Sequence, residues 1–228
     1  MSSPAEESYV SSLLNLAAHE IRNAAGPGTG YLGFLTRYNT PLSEQQRMFV
    51  AESQKAWGKI KALAEELELL ARFKDGTVKL DRKQVNLAQV LQQAVAALPP
   101  PDEGKTVDVN VSLSAAAGAV DGDSGRLKSA FAGLLFSLRR ELTRGDLYVR
   151  ERQGDYNGRA ASWIAIADGD HIDGLADATP DTLKNFEERR PGCGFKPSLA
   201  RSIIEAHGGA VWSPADGSTA AAVLVLPH

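Results

Sequence analysis

The 228-residue sequence lacks the features that mark several classes of protein. It has one cysteine, Cys193, so it can form no internal disulfide and no metal cluster built on cysteines. It has no run of about eighteen apolar residues, the length that crosses a bilayer, and residues 1–7, which we expect to be disordered, are not signal-like. The net charge of −3 gives no basic surface for nucleic acid. We therefore expect a cytoplasmic protein that neither inserts into a membrane nor binds nucleic acid.

What is present is enough apolar sequence for two modest domains, since 43% of the residues are hydrophobic. Residues 8–38 are amphipathic and predict one long helix. A second long helix, for which Ser43 is the predicted N-cap and Gly76 the predicted terminator, follows a short turn. This second helix carries a heptad seam, with spacings that alternate between four and three residues: Phe49, Ser53, Ala56, Ile60, Leu63, Leu67 and Leu70.

Two long helices joined by a short turn predict an antiparallel hairpin over residues 8–76. One hairpin cannot cover both of its apolar faces, whereas two hairpins cover them by forming a four-helix bundle. We therefore expect a homodimer through residues 8–74; the alternative is a single hairpin folded onto the rest of the chain. Pro27 and the glycines around it predict that the second half of the first helix is weak or kinked.

Residues 77–228 predict a separate α/β domain with one layer of sheet and one layer of helices. The run at 161–167 is apolar almost throughout, which is typical of a central strand. The fold class we predict is therefore α+β, a helical hairpin followed by a two-layer α/β sandwich. Helices are indicated at 87–98, 125–142 and 198–206, and strands at 106–113, 147–152, 161–167, 210–212 and 219–226.

The first predicted helix carries a small chemical site that begins at His19. An exposed imidazole offers a neutral nitrogen nucleophile near physiological pH. Glu20 is placed to hold one ring nitrogen as an acceptor and leave the other nitrogen free to attack. Asn23 lies one helical turn further on, within reach of a group that His19 carries. A plain surface histidine is the alternative interpretation of this stretch.

Residues 19–35 resemble, without a gap, the phosphoacceptor box of the two-component sensor histidine kinases. That box runs His-Glu-hydrophobic-Arg-Asn/Thr-Pro and ends in a Gly-Tyr-Leu-like segment, which is present here at residues 30–32. Ala24 stands where the family has its proline. The resemblance implies that His19 is the phosphoacceptor of a dimeric hairpin and that the partners are response-regulator receiver domains.

The rest of the chain is similar to the ATP-binding domain of the same family, so the resemblance covers about residues 8–228. It is carried by residues 85–87, by residues 123–127 and by residues 203–212, a likeness of the family's final helix-strand unit. The resemblance implies an ATPase-like fold for this domain and makes ATP and Mg²⁺ its candidate cofactors. The sequence shows no sensor, membrane anchor or receiver domain, so we expect the signal to arrive from another molecule.

The positions that would contact the nucleotide mostly depart from the family pattern. Ser137 stands where the family has the asparagine that ligates Mg²⁺. Asp168 stands where it has the adenine-reading carboxylate, although an ordinary strand-end carboxylate is the alternative. Gly192 and Gly194 remain from a glycine-rich phosphate loop, but a lysine and a proline follow them. Because Mg²⁺ is held by few protein oxygens and phosphates by closely approaching backbone N–H groups, we expect ATP binding to be weak or lost and no resident metal.

Three further features have plainer interpretations. Residues 173–190 would form a short lid over ATP, in which residues 187–190 are predicted to be a solvated run of charges. Cys193 is expected to be an ordinary loop residue, with an exposed thiol as the alternative. His207 is expected to close a helix at its C-terminus, where a partly cationic imidazole is favoured.

Three functions remain open on the sequence. The first is a phosphorelay protein that carries a phosphoryl group on His19, exchanges it with receiver aspartates and binds ATP weakly or not at all. The second is an active ATP-dependent histidine kinase with a divergent nucleotide site. The third is a non-enzymatic adaptor that binds a regulator. The departures at Ser137 and in the glycine loop favour the first over the second, and the retention of Glu20 and Asn23 favours it over the third.

Overall fold

The structure is a computed structural model that describes residues 4–37, 42–102, 104–113, 119–216 and 220–228. The chain divides into two compact units, Met1–Val78 and Lys79–His228, close to the predicted boundary at residue 76. Within the described ranges, no helix is long and apolar enough to cross a membrane.

The first unit is a pair of long antiparallel helices, α1 (Pro4–Arg37) and α2 (Glu44–Lys74). Residues 4–7 belong to α1, so the prediction of a disordered N-terminus is wrong for these four residues. The helix also continues through Pro27, where we expected a weak point. Packing explains the continuity: the indole of Trp57 lies so close to Gly28 that a Cβ added there would be 2.5 Å from the ring. This contact supports α1 where its own helix propensity is poor.

The ends of α2 follow the predicted caps. Gln46 and Ser43 form a reciprocal capping box, with the Gln46 N–H donating to Ser43 Oγ at 3.2 Å and the Ser43 N–H donating to Gln46 Oε1 at 2.9 Å. At the other end Gly76 adopts a φ of +66°, the left-handed conformation that ends helices. Residues 39–41, which belong to the turn predicted between the two helices, lie outside the described residues.

The two helices pack through small side chains. Ala18 and Ala25 of α1, and Ala64 and Ala71 of α2, are all at most 3% exposed. The heptad seam of α2 is only partly covered by this contact, because Leu67 and Leu70 are buried while other seam residues face outward. The large apolar side chains that the single hairpin leaves exposed are Val10, Leu16, Ile21, Tyr31, Phe34, Leu35, Met48, Phe49, Ile60 and Leu63.

The second unit is built on a six-stranded mixed sheet with a small two-stranded sheet beside it. In the large sheet the strand order is β2-β4-β5-β8-β7-β6, in which only β2 and β4 are parallel neighbours, and β1 pairs with β3. The strands are β1 (Lys83–Asn86), β2 (Val109–Ser112), β3 (Ala119–Gly122), β4 (Leu147–Tyr156), β5 (Arg159–Asp168), β6 (Leu183–Asn185), β7 (Ala210–Pro214) and β8 (Ala222–Pro227).

The predicted central strand is confirmed, because β5 lies between β4 and β8 and residues 161–167 are buried throughout. The helices of this unit are α3 (Leu87–Ala96), α4 (Ser124–Glu141), α5 (Ile172–Ala176) and α6 (Lys196–Ala206). α4 contacts both α3 and α6. Asp123 caps α4 by accepting from the Arg126 N–H at 3.0 Å, and the apolar face of this helix, which includes Leu127, Phe131 and Leu134, is buried. The mixed sheet with helices matches the predicted α+β class.

The segment predicted to be a lid, residues 173–190, is part of the packed domain. It contains most of α5, a single 3-10 turn (Pro180–Thr182) and the edge strand β6, which pairs with β7. Ile172, Leu175 and Ala178 pack against one face of β5, next to the stacked rings of Trp163 and Trp212, whose centroids are 5.7 Å apart. This segment therefore packs on the sheet as part of the domain.

Candidate functional site

His19 is exposed on α1, and so are Glu20 and Asn23. The residue immediately before the histidine, Ala18, is only 1% exposed because it faces α2. The imidazole therefore projects from the flank of a well-packed helix pair. Pro27 follows Asn23 by four residues and has no N–H, so the carbonyl of Asn23 receives no helical hydrogen bond from it.

The imidazole contact in the structure is with Arg22, whereas we had placed Glu20 at the ring. A guanidinium nitrogen of Arg22 lies 3.4 Å from Nδ1 of His19, and the same guanidinium pairs with the carboxylate of Glu68 on α2. Among the described residues, Glu20 makes no hydrogen bond to the ring. Sequence reasoning missed the role of Arg22, although its spacing of three residues from His19 on a helix was the available signal.

A second polar contact joins the helices one turn from His19. The Asn15 amide donates to the carboxylate of Asp75 at 3.3 Å. Together with the Arg22–Glu68 pair, it links α1 to the end of α2 near His19. These side chains are exposed, so each contact contributes little to stability, and their role is to define geometry.

In the second unit, Ser137 is fully buried inside α4. Its Oγ donates to the carbonyl of Gly133 at 2.7 Å. At Gly133 itself, α4 and α6 approach so closely that an added Cβ would lie 3.3 Å from the carbonyl oxygen of Lys196. The hydroxyl at position 137 therefore satisfies the helix backbone and has no open space in front of it.

Asp168 ends β5 and stabilises the turn that follows. Its Oδ1 accepts from the backbone N–H groups of Asp170 at 3.0 Å and of His171 at 3.1 Å, and from Nδ1 of the His171 ring at 2.7 Å. The hydrogen bond to this carboxylate raises the pKa of His171. These contacts are those of a strand-end carboxylate, the alternative that the sequence had left open for Asp168.

Gly192 and Gly194 lie in the loop before α6 and both have the positive φ that glycine tolerates, +74° and +61°. Gly194 lines an open cleft of about 660 Å³ together with residues 186–191, Phe195 and Ser198. Neither Ser137 nor Asp168 lines this cleft. This cleft therefore does not bring the four predicted nucleotide residues together.

The run of charges at residues 187–190 is more engaged than predicted. Arg190 is 7% exposed, pairs with Glu141 at the end of α4 and lies over the ring of Phe186 at 5.6 Å. Glu188 pairs with Arg201 of α6 at 2.7 Å. The prediction of a solvated run holds for Glu187 and Arg189, which are exposed, but is wrong for Arg190, because a buried guanidinium needs a charged partner and Glu141 supplies it.

Cys193 is 1% exposed, so the alternative of an exposed thiol is wrong. His207 closes α6 as predicted, but it is buried and neutral. Its Nδ1–H donates to the Ile203 carbonyl at 2.7 Å and its Nε2 accepts from the Asp123 N–H at 3.0 Å, which together fix one neutral tautomer. Burial lowers the pKa of His207, so our expectation of a partly cationic ring is wrong.

The described residues contain no group of three or more histidine, cysteine, aspartate or glutamate side chains that could hold a metal ion. The predicted site residues are in two kinds of environment. On the hairpin, His19, Glu20 and Asn23 are exposed. In the second unit, Ser137 and Asp168 are hydrogen-bonded to neighbouring groups of the same unit.

No known family model and no curated protein matches the chain by sequence. Solved structures do match it. Full-length ShkA, determined in complex with AMPPNP, is 19% identical with a TM-score of 0.68, over 94% of this chain and 44% of that one. The histidine kinase AdeS of Acinetobacter baumannii is 16% identical with a TM-score of 0.53, over 92% of this chain and 97% of that one. The chain has the fold of the histidine kinases.

A third match is the histidine kinase ThkA, solved in complex with the response regulator protein TrrA. It is 16% identical with a TM-score of 0.53, over 95% of this chain and 61% of ThkA. The chain thus spans less than half of ShkA and about three fifths of ThkA. The histidine kinase-like fold indicated by the sequence is confirmed.

Proposed function

We propose that this chain is a two-component phosphorelay protein that carries a phosphoryl group on His19 and exchanges it with aspartates of response-regulator receiver domains. The observation that carries the proposal is the exposed His19 on a hairpin whose helices are aligned around it by the Arg22–Glu68 and Asn15–Asp75 contacts. The solved complex of ThkA with a response regulator supports this class of partner. Such partners imply a cytoplasmic location.

The chemistry asks little of the hairpin beyond alignment. In the step we propose, an imidazole nitrogen of His19 attacks the phosphorus of a receiver aspartyl phosphate. A P–N bond forms as the P–O bond breaks, and the aspartate carboxylate leaves with the electron pair. Phosphoryl transfer depends mainly on positioning and on charge stabilisation. The receiver supplies the acidic pocket and its Mg²⁺, so the chain itself needs no metal.

Glu20 and Asn23 have separate roles in this proposal. Glu20 accepts the ring N–H during transfer and so orients the imidazole. Asn23, one turn away, positions a water molecule that hydrolyses the phosphorylated receiver. Loss of Glu20 therefore affects transfer in both directions, whereas loss of Asn23 affects dephosphorylation and leaves phosphate acceptance in place.

We further propose that ATP binding is weak or lost. Ser137 is buried and bonded to its own helix, and Asp168 is engaged by the turn and ring that follow it. Lys196 packs at Gly133, where the resemblance places another asparagine, so α4 and α6 meet directly. Each contact removes a group that a nucleotide would need, and together they support a domain retained for its fold.

A second copy of the chain is the partner we propose for the apolar side of the hairpin. On a helical projection of about 100° per residue, Phe49, Ile60 and Leu63 share one side of α2. They remain 57%, 37% and 39% exposed in the single chain. A two-fold arrangement covers the same stripe on both copies and produces a four-helix bundle.

The test is to mix the purified protein with phosphorylated receivers from the same organism and to follow the phosphoryl group. We expect the wild type to take up phosphate and His19→Ala to take up none. Labelling of His19 by ATP alone would support an active kinase instead. If neither protein form accepts phosphate from any receiver or from ATP, the adaptor hypothesis stands.

A further inference from the structure

The contact between Arg22 and the ring of His19 is one that the proposed relay does not use. The guanidinium of Arg22 reaches Nδ1 of His19 at 3.4 Å and is held at the same time by the carboxylate of Glu68. Small buried side chains, among them Ala18 and Ala64, are compatible with close packing of the two helices.

We infer that Arg22 is a positioning residue that holds the neutral His19 ring in the tautomer with its proton on Nε2, and that Glu68 keeps Arg22 in that place. The inference rests on the proposed function. A guanidinium has five donors, has no acceptor and does not lose its proton in proteins. A ring nitrogen that faces it must therefore present a lone pair, so Nδ1 accepts and the single proton of a neutral ring lies on Nε2.

This tautomer restrains the nucleophile. With the proton on Nε2, that nitrogen has no lone pair in the ring plane with which to attack phosphorus. Nδ1 has one, but it is engaged by the guanidinium of Arg22. The resting contact therefore leaves neither nitrogen free, and transfer to Nε2 needs the proton to move to Nδ1.

An incoming phosphoryl group competes with Nδ1 of His19 for the guanidinium of Arg22. Its oxygens are negatively charged acceptors, and charge-assisted bonds from arginine to phosphate are stronger than a bond to a neutral imidazole. When Arg22 turns to the phosphoryl group, water removes the Nε2 proton and returns a proton to Nδ1, whose N–H then donates to Glu20. The lone pair of Nε2 attacks phosphorus, the P–O bond to the receiver aspartate breaks, and the carboxylate leaves with the electron pair.

The expected size of the effect follows from exposure. The side chains of Arg22 and Glu68 are 43% and 36% exposed. Exposed pairs hold their partners weakly, so Arg22 changes the tautomer ratio by at most about fivefold. Such a bias suits a residue that must release the ring at each transfer.

The experiment uses the full chain with ¹⁵N-labelled histidine at about pH 8, above the ordinary titration range of imidazole. Long-range ¹H–¹⁵N correlations report which nitrogen carries the proton, and the signals missing from His19→Ala assign the ring. We expect the proton of wild-type His19 mainly on Nε2. Arg22→Met, which removes the donor, and Glu68→Gln, which removes the anchor, should each lower the ratio of Nε2–H to Nδ1–H by about two- to fivefold.

The matched control is Glu65→Gln, which breaks the Lys61–Glu65 pair on the same helix and should leave the ratio unchanged. A wild-type ring protonated mainly on Nδ1, or an unchanged ratio in both Arg22→Met and Glu68→Gln, would overturn the inference. No receiver is needed for this measurement, so its result is independent of the relay. If the tautomer ratio shifts in Arg22→Met and Glu68→Gln but the wild type takes up no phosphate, the role of Arg22 is supported and the relay is refuted. If the wild type takes up phosphate on His19 but the ratio does not shift in the variants, the relay is supported and the role of Arg22 is refuted.

Discussion

Two histidines, His19 on the hairpin and His207 in the α/β unit, are in opposite situations. His207 is 4% exposed and both of its ring nitrogens are bonded to backbone groups. His19 is exposed, and Nδ1 of its ring lies 3.4 Å from the guanidinium of Arg22. A group whose bonds are all made inside the fold holds structure, and a group left accessible can act on a partner.

The same difference separates the two units as a whole. On the hairpin, polar and apolar groups remain available to partners, as exposed His19 and exposed Leu63 show. In the α/β unit, the Ser137 hydroxyl donates to a carbonyl of its own helix, and the Asp168 carboxylate accepts from the turn that follows it. Among the described residues, the hairpin therefore leaves His19 and Leu63 accessible, whereas Ser137 and Asp168 of the α/β unit are engaged within the fold.

The strongest challenge to this comparison is Leu63→Arg, which places a charge on the apolar side of α2. If that side is covered by a second copy, the buried unpaired charge costs several kcal/mol and the dimer should dissociate or unfold. Light scattering at micromolar concentration measures the mass. Gln54→Arg, at another exposed position of α2, is the control and should remain dimeric. A wild-type protein that is monomeric throughout would contradict the account of the exposed stripe.

The next largest effect is expected from replacing each of these two histidines by alanine, because the two variants should lose different amounts of stability. His207→Ala leaves the Asp123 N–H without its buried acceptor and removes a buried ring, while the Ile203 carbonyl keeps the backbone N–H of residue 207, so we expect about 2–4 kcal/mol of lost stability. His19→Ala should change stability by less than about 0.5 kcal/mol, because the ring is exposed. Urea unfolding of both variants measures the contrast. Equal losses at the two positions would remove the distinction between structural and available histidine.

Two glycines of α1 test how the hairpin holds its geometry. Gly28→Ala places a Cβ 2.5 Å from the Trp57 ring and should destabilise the hairpin by about 1–3 kcal/mol. Gly30→Ala meets nothing within 4 Å and should stabilise α1 by up to about 1 kcal/mol. Thermal unfolding followed by circular dichroism compares the pair. Two changes of the same sign would show that Trp57 does not support α1 as described.

Acidification should weaken the α/β unit through His207. Burial lowers its pKa below the ordinary 6.5, so below pH 6.5 the unfolded chain binds a proton that the folded chain refuses. This contribution is fully present above pH 6.5 and is lost as the pH falls toward the lowered pKa. It amounts to at most about 1.4 kcal/mol per pH unit.

The measurement is urea unfolding at pH 7.5 and 5.5, in which His207→Ala should show a smaller pH dependence than the wild type. His171 acts in the opposite direction, because its bond to Asp168 raises its pKa and favours the folded state at low pH. That ring is exposed, so its effect is the smaller one. An identical pH dependence in the two proteins would contradict the role of His207.

Much of the fold could be predicted from local sequence. The cap at Ser43, the terminator at Gly76 and the buried face of α4 each depend on a few neighbouring residues, and all are present in the structure. β1, β3 and β6 could not be predicted, because each has only three or four residues and shows too little alternation. The packing of α5 against the sheet was hidden because β5 is apolar on both faces.

The candidate site, like the fold, could be predicted from the sequence only where it depends on neighbouring residues. His19, Glu20 and Asn23 are neighbours in a recognisable stretch, and the structure places all three on the exposed side of α1. Glu68 lies 46 residues from its partner Arg22, so that pair emerges only when the helices are packed. At Ser137 and Asp168 the sequence indicated departures from a pattern, but the bonds these residues make instead depend on three-dimensional neighbours.

The most direct test of the account offers both phosphoryl donors to one protein. Wild type and His19→Ala are each incubated with labelled ATP and Mg²⁺, and separately with a labelled receiver from the same organism. Phosphohistidine is then located by mass spectrometry under conditions that preserve the P–N bond. The account predicts label on His19 of the wild type from the receiver, and none from ATP. Label on His19 from ATP alone, or equal relay by His19→Ala, would contradict it.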